Sequence, residues 1–378
     1  MLLDPIPHLV IPFAACNANG WLSAVSAMPQ SSLTNLGRLL KDVKLMDIDC
    51  QDADTLSPPH ERAQARALGL AKPETPDGLI PWAAVDAVQH LPAGQHQAWA
   101  WITPCHWSMG NRHATLVDPA ALHLQPSESQ ALLAIMQPYF ETDSITLHYV
   151  PALGPGRWLA EGDVFRDMPT ASLDRVLGQD VDNWLPSSRQ QKRNAGLSKL
   201  TGLNGLNASA ELTGSTIPMA QQTIANHATS ASVKVLSRLQ NEMQMLLYTH
   251  SFNDERQLRC QLPVNSFWIS GTGALMAQFR ETSTPPLFQQ KTEQVKAPRD
   301  LVQAVFREDW ASYTQAWSTL DSGDIAALLA RQQRGETVRL SLCGESSAQT
   351  FETHRAGLLR NLSSLLRPLR ILDMLKQL

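Results

Sequence analysis

The residues that could perform chemistry are concentrated in two adjacent segments, at positions 238–250 and 262–273. In the first segment, the helical spacing of Leu239, Met243 and Leu246 predicts an amphipathic helix that also carries polar side chains. The second segment has the pattern of an apolar strand that ends in a glycine-rich turn. Small residues after a strand let a ligand approach exposed backbone amides, so the two segments together predict a binding pocket.

The candidate ligand-binding residues come from these segments and from two other predicted strand ends. They are His106, Arg238, Asn241, Glu242, His250, Asn265, Ser270, Gly271, Thr272, Gly273 and Glu345. We expect the side chains at positions 106, 242 and 271 to converge, because strand ends gather at one edge of a parallel sheet. The expected ligand is a small anionic metabolite. A surface ion pair between Arg238 and Glu242, and tight packing of the strand on the helix, are alternatives that need no ligand.

Histidine, cysteine and aspartate clusters elsewhere in the chain do not predict a metal site. Cys105, His106 and His113 follow a predicted strand, where an imidazole could act as a base or a ligand. Zinc needs three or four ligands, and nothing nearby completes the set, which favours a hydrogen-bonded structural histidine. The acidic run at 47–54 lacks the glycine that a calcium loop needs at its sixth position. We therefore expect neither a metal nor a cofactor.

Composition indicates a globular protein and argues against several classes of partner. The 378 residues are 43% hydrophobic and 17% charged, enough for one large or two ordinary domains with a substantial core. The net charge of -4 argues against nucleic-acid binding, which needs a concentrated excess of Lys and Arg. Five widely spaced cysteines without a Cys-x-x-Cys pair favour a reducing compartment. Without a secretory signal or an apolar stretch of ~20 residues, we expect a cytoplasmic protein that does not span a membrane.

Hydrophobic periodicity predicts an α/β fold with a mixed, mostly parallel central sheet flanked by helices. Strands are predicted at 8–15, 98–103, 145–150, 157–160, 264–270 and 337–342. Helices are predicted at 31–42, 58–69, 77–88, 127–140, 170–184, 233–250, 309–320, 324–333 and 354–378. In such sheets, chemistry takes place just past the strand ends.

Changes in composition divide the chain into three parts. Residues 1–186 form an amino-terminal α/β part, and residues 232–378 complete the same core. Between them, residues 187–231 are rich in Ser, Asn, Gln, Thr, Gly and Ala, which predicts a flexible polar insert. The last helix, at 354–378, carries a leucine stripe with arginines elsewhere. We expect it to pack on the core or to form a homodimer or partner interface, with binding to a membrane surface as the alternative.

Several segments distributed over the chain resemble the RpfE-type family of bacterial regulatory proteins. The similarity is carried by residues 52–62, 77–82, 105–107, 157–159, 171–176, 238–250, 262–273 and 342–345. Members of that family are often named phosphoglycerate mutases, because two pieces are similar to cofactor-independent mutases of the alkaline phosphatase superfamily. Here those pieces are Leu33-Thr-Asn-Leu36 and Pro263-Val-Asn-Ser-Phe-Trp268. The resemblance implies an alkaline-phosphatase-like core in degenerate form.

The chain departs from those mutases at the positions where they bind two divalent metals. They carry an Asp at the end of the first strand and a late Asp-x-x-Gly-His motif, whereas this chain has Ala14-Ala15-Cys16-Asn17 and no Gly-His dipeptide. Two-metal phosphoryl transfer needs such ligands to clamp the attacking and leaving oxygens. We therefore expect a cytoplasmic regulatory or ligand-binding protein without metal-dependent catalysis. The alternatives are a phosphoglycerate mutase-like phosphomutase or phosphatase with a non-standard site, and a purely structural partner protein.

Overall fold

A computed structural model describes residues 6–91, 97–110, 113–187, 219–275, 292–353 and 371–378. The chain divides into two compact units, which we call unit 1 and unit 2. Unit 1 comprises Met1–Glu74 and Thr282–Leu378, and unit 2 comprises Thr75–Glu281. The boundaries proposed from the sequence, after residues 186 and 231, both fall inside unit 2.

Strands and helices alternate along much of the chain. The described strands are β1 (His8–Ile11), β2 (Val43–Cys50), β3 (Ala98–Cys105), β4 (Trp107–Met109), β5 (Ala114–Leu116), β6 (Thr146–His148), β7 (Trp158–Glu161), β8 (Ser266–Ala274), β9 (Val295–Lys296), β10 (Arg339–Cys343) and β11 (Ser347–Thr353). The described helices are α1 (Trp21–Ala27), α2 (Thr34–Leu39), α3 (Pro59–Leu68), α4 (Trp82–His90), α5 (Pro126–Glu141), α6 (Leu173–Val176), α7 (Met219–Tyr248), α8 (Ser251–Leu258), α9 (Asp300–Phe306), α10 (Trp310–Leu320), α11 (Ala326–Gln333) and α12 (Ile371–Leu375).

The sheet of unit 1 is mixed, with the strand order β2-β11-β10-β1-β9. Strand β1 pairs in parallel with β10 and β9, whereas β11 pairs antiparallel with β10 and β2. All four residues of β1 are buried, as expected for a strand that is covered on both faces. The α/β class and the mixed sheet flanked by helices are therefore confirmed. Parallel pairings do not predominate, because the short turn from β10 to β11 makes these neighbours antiparallel.

Helices cover both faces of this sheet and bury its side chains. On one face, Leu9, Leu340 and Leu342 join an apolar core that includes residues of α1, α2 and α9–α11. Helix α3 packs against β1, β10 and β11 on the other face. His8 and Ser341 point to that second face, because side chains alternate along a strand, and their side chains lie 2.8 Å apart.

Unit 2 is built around an antiparallel sheet with the strand order β6-β7-β3-β8. A core of aliphatic and aromatic residues joins this sheet to α5 and α7, through residues such as Met136 and Met243. Helix α4 lies against β3 and β8, and β4 and β5 form a separate two-stranded ribbon. The hairpin predicted at 145–160 is confirmed as the antiparallel β6–β7 pair.

Two predicted elements around the candidate pocket differ from the structure. The glycine-rich turn expected after residue 270 is wrong, because β8 continues through Gly271 and Gly273 to Ala274. The helix predicted at 233–250 begins at Met219, inside the proposed polar insert, and ends at Tyr248. The physical reason is that this run contains neither Gly nor Pro, the residues that interrupt helices most strongly.

The helix predicted at 170–184 is reduced to the single turn of α6. Ser172 caps its start, and the chain leaves the helix before Gly178, whose φ is +71°. Two further predictions lie outside the described residues, namely the polar insert over 188–218 and most of the last helix, 354–370. Among the described helices, none is both long and apolar enough to cross a bilayer.

Candidate functional site

His106 and Asn265 come together at one end of the β3–β8 pair. The Asn265 amide donates to the Trp107 carbonyl oxygen at 2.9 Å, and its side-chain oxygen accepts from the Trp107 N–H at 2.7 Å. His106 Nδ1 lies 2.9 Å from the Pro263 carbonyl oxygen, which can only accept, so this nitrogen carries the proton. Both side chains therefore connect the start of β4 to the segment just before β8 through hydrogen bonds within the protein.

Residues 270–273 lie at the opposite end of the same strand pair. Cys105 is opposite Ser266, whereas Trp99 is opposite Gly273. Six residue steps of ~3.3 Å separate position 99 from position 105, which places the two ends about 20 Å apart. The predicted convergence of positions 106 and 271 is therefore wrong. In an antiparallel pair, the carboxyl end of one strand adjoins the amino end of its neighbour, so the strand ends do not gather at one edge.

The glycine segment is a bulge within β8. Trp99 pairs with Gly273 and Trp101 pairs with Ser270, so β8 has one more residue than β3 between these two pairs. Gly271 accommodates the extra residue with a φ of +64°, in the left-handed region that favours glycine. A Cβ at this position would lie only 2.8 Å from Cε3 of the Trp101 ring. The glycine is therefore required by the packing of the strand, without any ligand.

Thr272 and Gly273 also have structural partners. The buried Thr272 hydroxyl lies 2.6 Å from the Met168 carbonyl oxygen and 2.9 Å from the Thr170 hydroxyl. A Cβ on Gly273 would lie 3.1 Å from Cβ of Pro81. These contacts join β8 to the segments packed around it. They agree with the alternative that this segment is explained by tight packing and needs no ligand. The ligand-binding role of residues 270–273 stays a prediction.

The candidate residues of α7 lie on its exposed or half-buried side. Arg238 forms the expected i,i+4 ion pair with Glu242, at 3.2 Å, and also pairs with Asp143. The Arg238 side chain is 47% exposed, and Asn241 is exposed as well. Exposed ion pairs of this kind contribute about 0–1 kcal/mol to stability. The ion pairs of Arg238 are explained as surface interactions. A ligand-binding role for Arg238, Asn241 and Glu242 stays a prediction.

His250 caps a helix that the sequence did not predict. Helix α7 ends at Tyr248, and the Phe252 N–H donates to His250 Nδ1 at 3.1 Å, at the start of α8. A ring nitrogen that accepts a hydrogen bond carries no proton. His250 is therefore explained as the cap of α8, and its ligand-binding role stays a prediction.

Glu345 belongs to unit 1, whereas the other candidate residues belong to unit 2. It follows β10, beside the loop that follows β1, at the carboxyl ends of these parallel strands. The Asn17 side-chain amide donates to Glu345 Oε2 at 2.9 Å and joins the two loops. In open α/β sheets, ligands bind outside the carboxyl ends of the strands. We call the loops 12–17 and 344–346 the carboxyl-edge site.

The Tyr313 hydroxyl holds the first of these loops in place. Buried on α10, it lies 2.9 Å from the carbonyl oxygens of both Phe13 and Ala14, and it accepts from Trp21 Nε1 at 3.0 Å. The Ala14 N–H in turn donates to the Cys343 carbonyl oxygen at 2.8 Å. These bonds hold Phe13 at a φ of +50°, which non-glycine residues rarely adopt. The loop is therefore preorganised by buried hydrogen bonds.

Cys16 lies in this loop but is not an activated nucleophile. Burial, with a smaller contribution from the Glu345 carboxylate, raises the pKa of the Cys16 thiol to about 11. The thiol is therefore protonated at neutral pH, whereas reactive cysteines have lowered pKa values. What the site offers chemically is hydrogen bonding, through the Asn17 amide, the Glu345 carboxylate and the backbone of the two loops.

Helix α3 begins beside the carboxyl-edge site. The centroid of the His60 ring, at the start of α3, lies 5.7 Å from that of the Phe13 ring. Farther along α3, Arg62 Nη2 and Arg66 Nη1 bind the Asp49 carboxylate at 2.8 Å and 2.7 Å. Burial acts to raise the pKa of Asp49, but the two arginines lower it below its usual range. Because α3 begins at Pro59, its amino end brings the positive end of a helix dipole to this edge of the sheet, together with the Glu61 carboxylate in its first turn.

Sequence reasoning included Glu345, which follows β10, among the candidates but centred the site on β8 and did not include the loop after β1. Cys16 and Asn17 directly follow a predicted strand, and that position is a signal that could have identified them. Tyr313 has no comparable signal, because it lies 300 residues from Phe13 and its role depends on a tertiary contact. The role of such a residue can be identified only once the fold is known.

Comparison with known proteins gives no family for this chain. No protein-family profile and no curated protein match it. Among solved structures, it is similar to a cofactor-independent phosphoglycerate mutase from Thermoplasma acidophilum DSM 1728, at 13% identity and a TM-score of 0.34, over 99% of both chains. It is also similar to the PH0037 protein from Pyrococcus horikoshii, at 9% identity and a TM-score of 0.39, over 93% of this chain and 88% of that one. Likeness at this level assigns neither family nor activity, and RpfE-type membership stays a prediction.

Proposed function

We propose that the protein binds a small, hydroxylated anionic metabolite at the carboxyl-edge site, and that it acts as a ligand-binding or regulatory protein without metal-dependent catalysis. The observation that carries the proposal is the bonding of Tyr313, which holds a strained loop beside Asn17 and Glu345. Backbone strain of this kind costs ~1–3 kcal/mol and is retained where it positions groups for function.

The side chains of the site favour binding over phosphoryl transfer. The loop after β1 supplies a protonated thiol, an amide and backbone groups, and it contains no carboxylate. A carboxylate accepts several hydrogen bonds, so Glu345 can bind a ligand hydroxyl while it accepts from Asn17. The positive end of the α3 dipole, beside Phe13, favours an anionic group on the same ligand, although the Glu61 carboxylate in the first turn of α3 offsets part of this effect. A hydroxylated anion satisfies both features.

A ligand screen tests the binding proposal. Thermal shifts over hydroxy acids, phosphorylated metabolites and nucleotides identify compounds that bind, and calorimetric titration measures their affinity. We expect Glu345→Gln and Asn17→Ala each to weaken binding by about tenfold or more, because each removes a polar contact to the ligand. Glu293→Gln is the matched control, since Glu293 is exposed in unit 1 and precedes β9, at the amino edge of the sheet. Equal affinity in Glu345→Gln and the control would contradict the proposed site.

Turnover assays test the second part of the proposal. With added Mn²⁺ or Zn²⁺, the full chain should neither interconvert phosphoglycerates nor hydrolyse simple phosphate esters. Metal-dependent turnover that disappears with a chelator would overturn the non-catalytic part and favour the phosphomutase or phosphatase alternative. Calorimetric binding in the absence of turnover supports the proposal as stated.

A further inference from the structure

The edge strand β2 exposes a row of apolar side chains. Leu45, Met46 and Ile48 are 40%, 56% and 58% exposed. In the part of the chain that the structure describes, β11 is the one strand that pairs with β2. The outer side of β2 therefore presents backbone N–H and C=O groups that no described strand engages. An exposed apolar edge strand can pair with a strand of another chain. Proteins generally prevent such pairing with charged residues or bulges, or cover the edge with another element.

Leu45 and Ile48 share one face of the sheet although they are three residues apart, because β2 has a bulge at Met46, the extra residue between the Leu45–Phe351 and Asp47–Thr350 pairs. Leu45 is opposite Phe351 of β11, and Ile48 is opposite Gln349. Phe351 belongs to the apolar core of unit 1, and opposite residues of an antiparallel pair lie on the same face. Leu45 and Ile48 therefore extend the apolar surface of that face to the open edge of the sheet.

The charged side chains of β2 lie on the opposite face. These are Lys44, Asp47 and Asp49. Asp49 is buried between two arginines of α3, whereas the Asp47 side chain is 56% exposed and lies 3.7 Å from the Arg66 guanidinium. The edge of β2 thus carries apolar groups on one face and both signs of charge on the other, within eight residues.

We propose that β2 pairs antiparallel with β2 of a second copy of this chain, around a two-fold axis between Met46 and Asp47. In this register, Leu45 of each copy lies opposite Ile48 of the other, which gives two apolar cross-strand pairs on the same face. The two five-stranded sheets join into one continuous sheet. The interface is isologous, because the same strand is used by both copies.

Self-complementarity identifies a second copy as the occupant of this edge. The proposed register places Lys44 opposite the buried Asp49 and diagonal to the exposed Asp47, so the Lys44 ammonium of one copy meets the Asp47 carboxylate of the other on the charged face. A shift by one residue would place Lys44 opposite Ile48 and Leu45 opposite Asp47, which point to different faces. The pattern of charge and apolar groups along β2 therefore matches its own antiparallel copy.

Sedimentation equilibrium of the full chain tests for the dimer. We expect twice the monomer mass of 41.6 kDa, with dissociation on dilution. Leu45→Lys and Ile48→Lys should each weaken the dimer by about tenfold or more, because each places a charge opposite an apolar side chain. Leu22→Lys is the control, since Leu22 is 51% exposed on α1 and should leave the dimer unchanged. A chain that remains monomeric at concentrations on the order of 100 μM, or a dimer that resists Ile48→Lys, would overturn the proposal.

The native Cys50 allows the register itself to be measured. Cys50 is exposed at the end of β2, and in the proposed register it lies opposite Val43 of the second copy. Val43→Cys should therefore produce a disulfide-linked dimer on mild oxidation. Within one chain the two positions are seven residue steps apart, about 23 Å, which is too far for a disulfide.

A second substitution controls the cross-linking experiment. Val43→Cys combined with Cys50→Ser should give no linked dimer, and thermal unfolding should show that both proteins are folded. A linked dimer that persists without Cys50, or a folded Val43→Cys protein that stays uncross-linked, would overturn the register.

Discussion

At the scale of single residues, Gly271 shows how closely the backbone of β8 is fitted to its neighbours. Its φ is +64°, and a Cβ would lie 2.8 Å from the Trp101 ring. Gly271→Ala should lower the free energy of unfolding by about 2–4 kcal/mol, because left-handed strain adds to the displacement of a packed ring. Urea denaturation followed by tryptophan fluorescence measures the loss.

Gly178 provides a control that separates these two causes. It has a φ of +71°, but no atom lies within 4 Å of the position that its Cβ would occupy. Gly178→Ala should therefore cost only the conformational part, about 1 kcal/mol. If both variants lose the same stability, the contact with Trp101 is not what requires glycine at position 271.

Tyr313 determines the conformation of the carboxyl-edge site through a single hydroxyl. Tyr313→Phe leaves the buried Trp21 N–H and the Phe13 carbonyl oxygen without this partner, so the free energy of unfolding should fall by about 1–3 kcal/mol. Any ligand of the site should bind more weakly as well, because the loop is released. Tyr248→Phe, at a position that is 87% exposed, should change neither quantity. Unchanged denaturation and affinity in Tyr313→Phe would show that the hydroxyl does not hold the loop.

At the scale of elements, sequence patterns predicted the strands and helices whose residues are uniformly buried or strictly periodic. Strand β1 and the β6–β7 hairpin are examples, because their signals are local. The segment 270–273 was misassigned, since glycine is typical of turns and a bulge exists only where two strands pair. Its partner β3 lies far away in the chain. The convergence of His106 with Gly271 failed for the same reason, because the direction of a neighbouring strand is not a local property.

We expect the free energy of unfolding to depend on pH through His8, which belongs to a set of side-chain hydrogen bonds across three strands of unit 1. His8 on β1 lies 2.8 Å from the Ser341 hydroxyl on β10, which lies 2.7 Å from the Thr350 hydroxyl on β11. Burial, with a smaller contribution from Arg339, lowers the pKa of His8 from 6.5 to about 4. Between pH 6.5 and about pH 4, His8 is therefore protonated in the unfolded chain but not in the folded protein. The stability present above pH 6.5 should therefore fall by about 3 kcal/mol on acidification to pH 4.

His8→Gln isolates this contribution from that of other titrating groups. Urea denaturation at a series of pH values from 7 to 4 should show a smaller loss of stability for His8→Gln than for the wild-type protein, whatever their difference at pH 7. His113→Gln, at an exposed position, should retain the wild-type pH dependence. Parallel curves for the wild-type protein and His8→Gln would show that His8 is not the group responsible.

At the scale of the whole molecule, the two units do not follow the order of the chain, because unit 1 is built from two segments that are distant in sequence. Unit 1 combines residues 1–74 with residues 282–378, and β1 pairs with β10 across nearly the whole chain. A sequence-based boundary after residue 186 follows the change to polar composition. The core of unit 2 nevertheless includes residues of both α5 and α7, on either side of that boundary. Composition shows where a chain is polar, but it does not show which segments pack together.

The division into units predicts which fragments of the chain can fold. The described core residues of unit 2 all lie within 75–281, so the fragment 75–281 should fold alone and unfold in one cooperative transition. The fragment 1–186 is the matched comparison. It lacks β8, which pairs with β3, and β10, which pairs with β1, so its unpaired strands should leave it unfolded or aggregated. Circular dichroism during urea denaturation measures both fragments. A cooperative transition in 1–186, with none in 75–281, would place the boundary where the composition changes rather than where the cores divide.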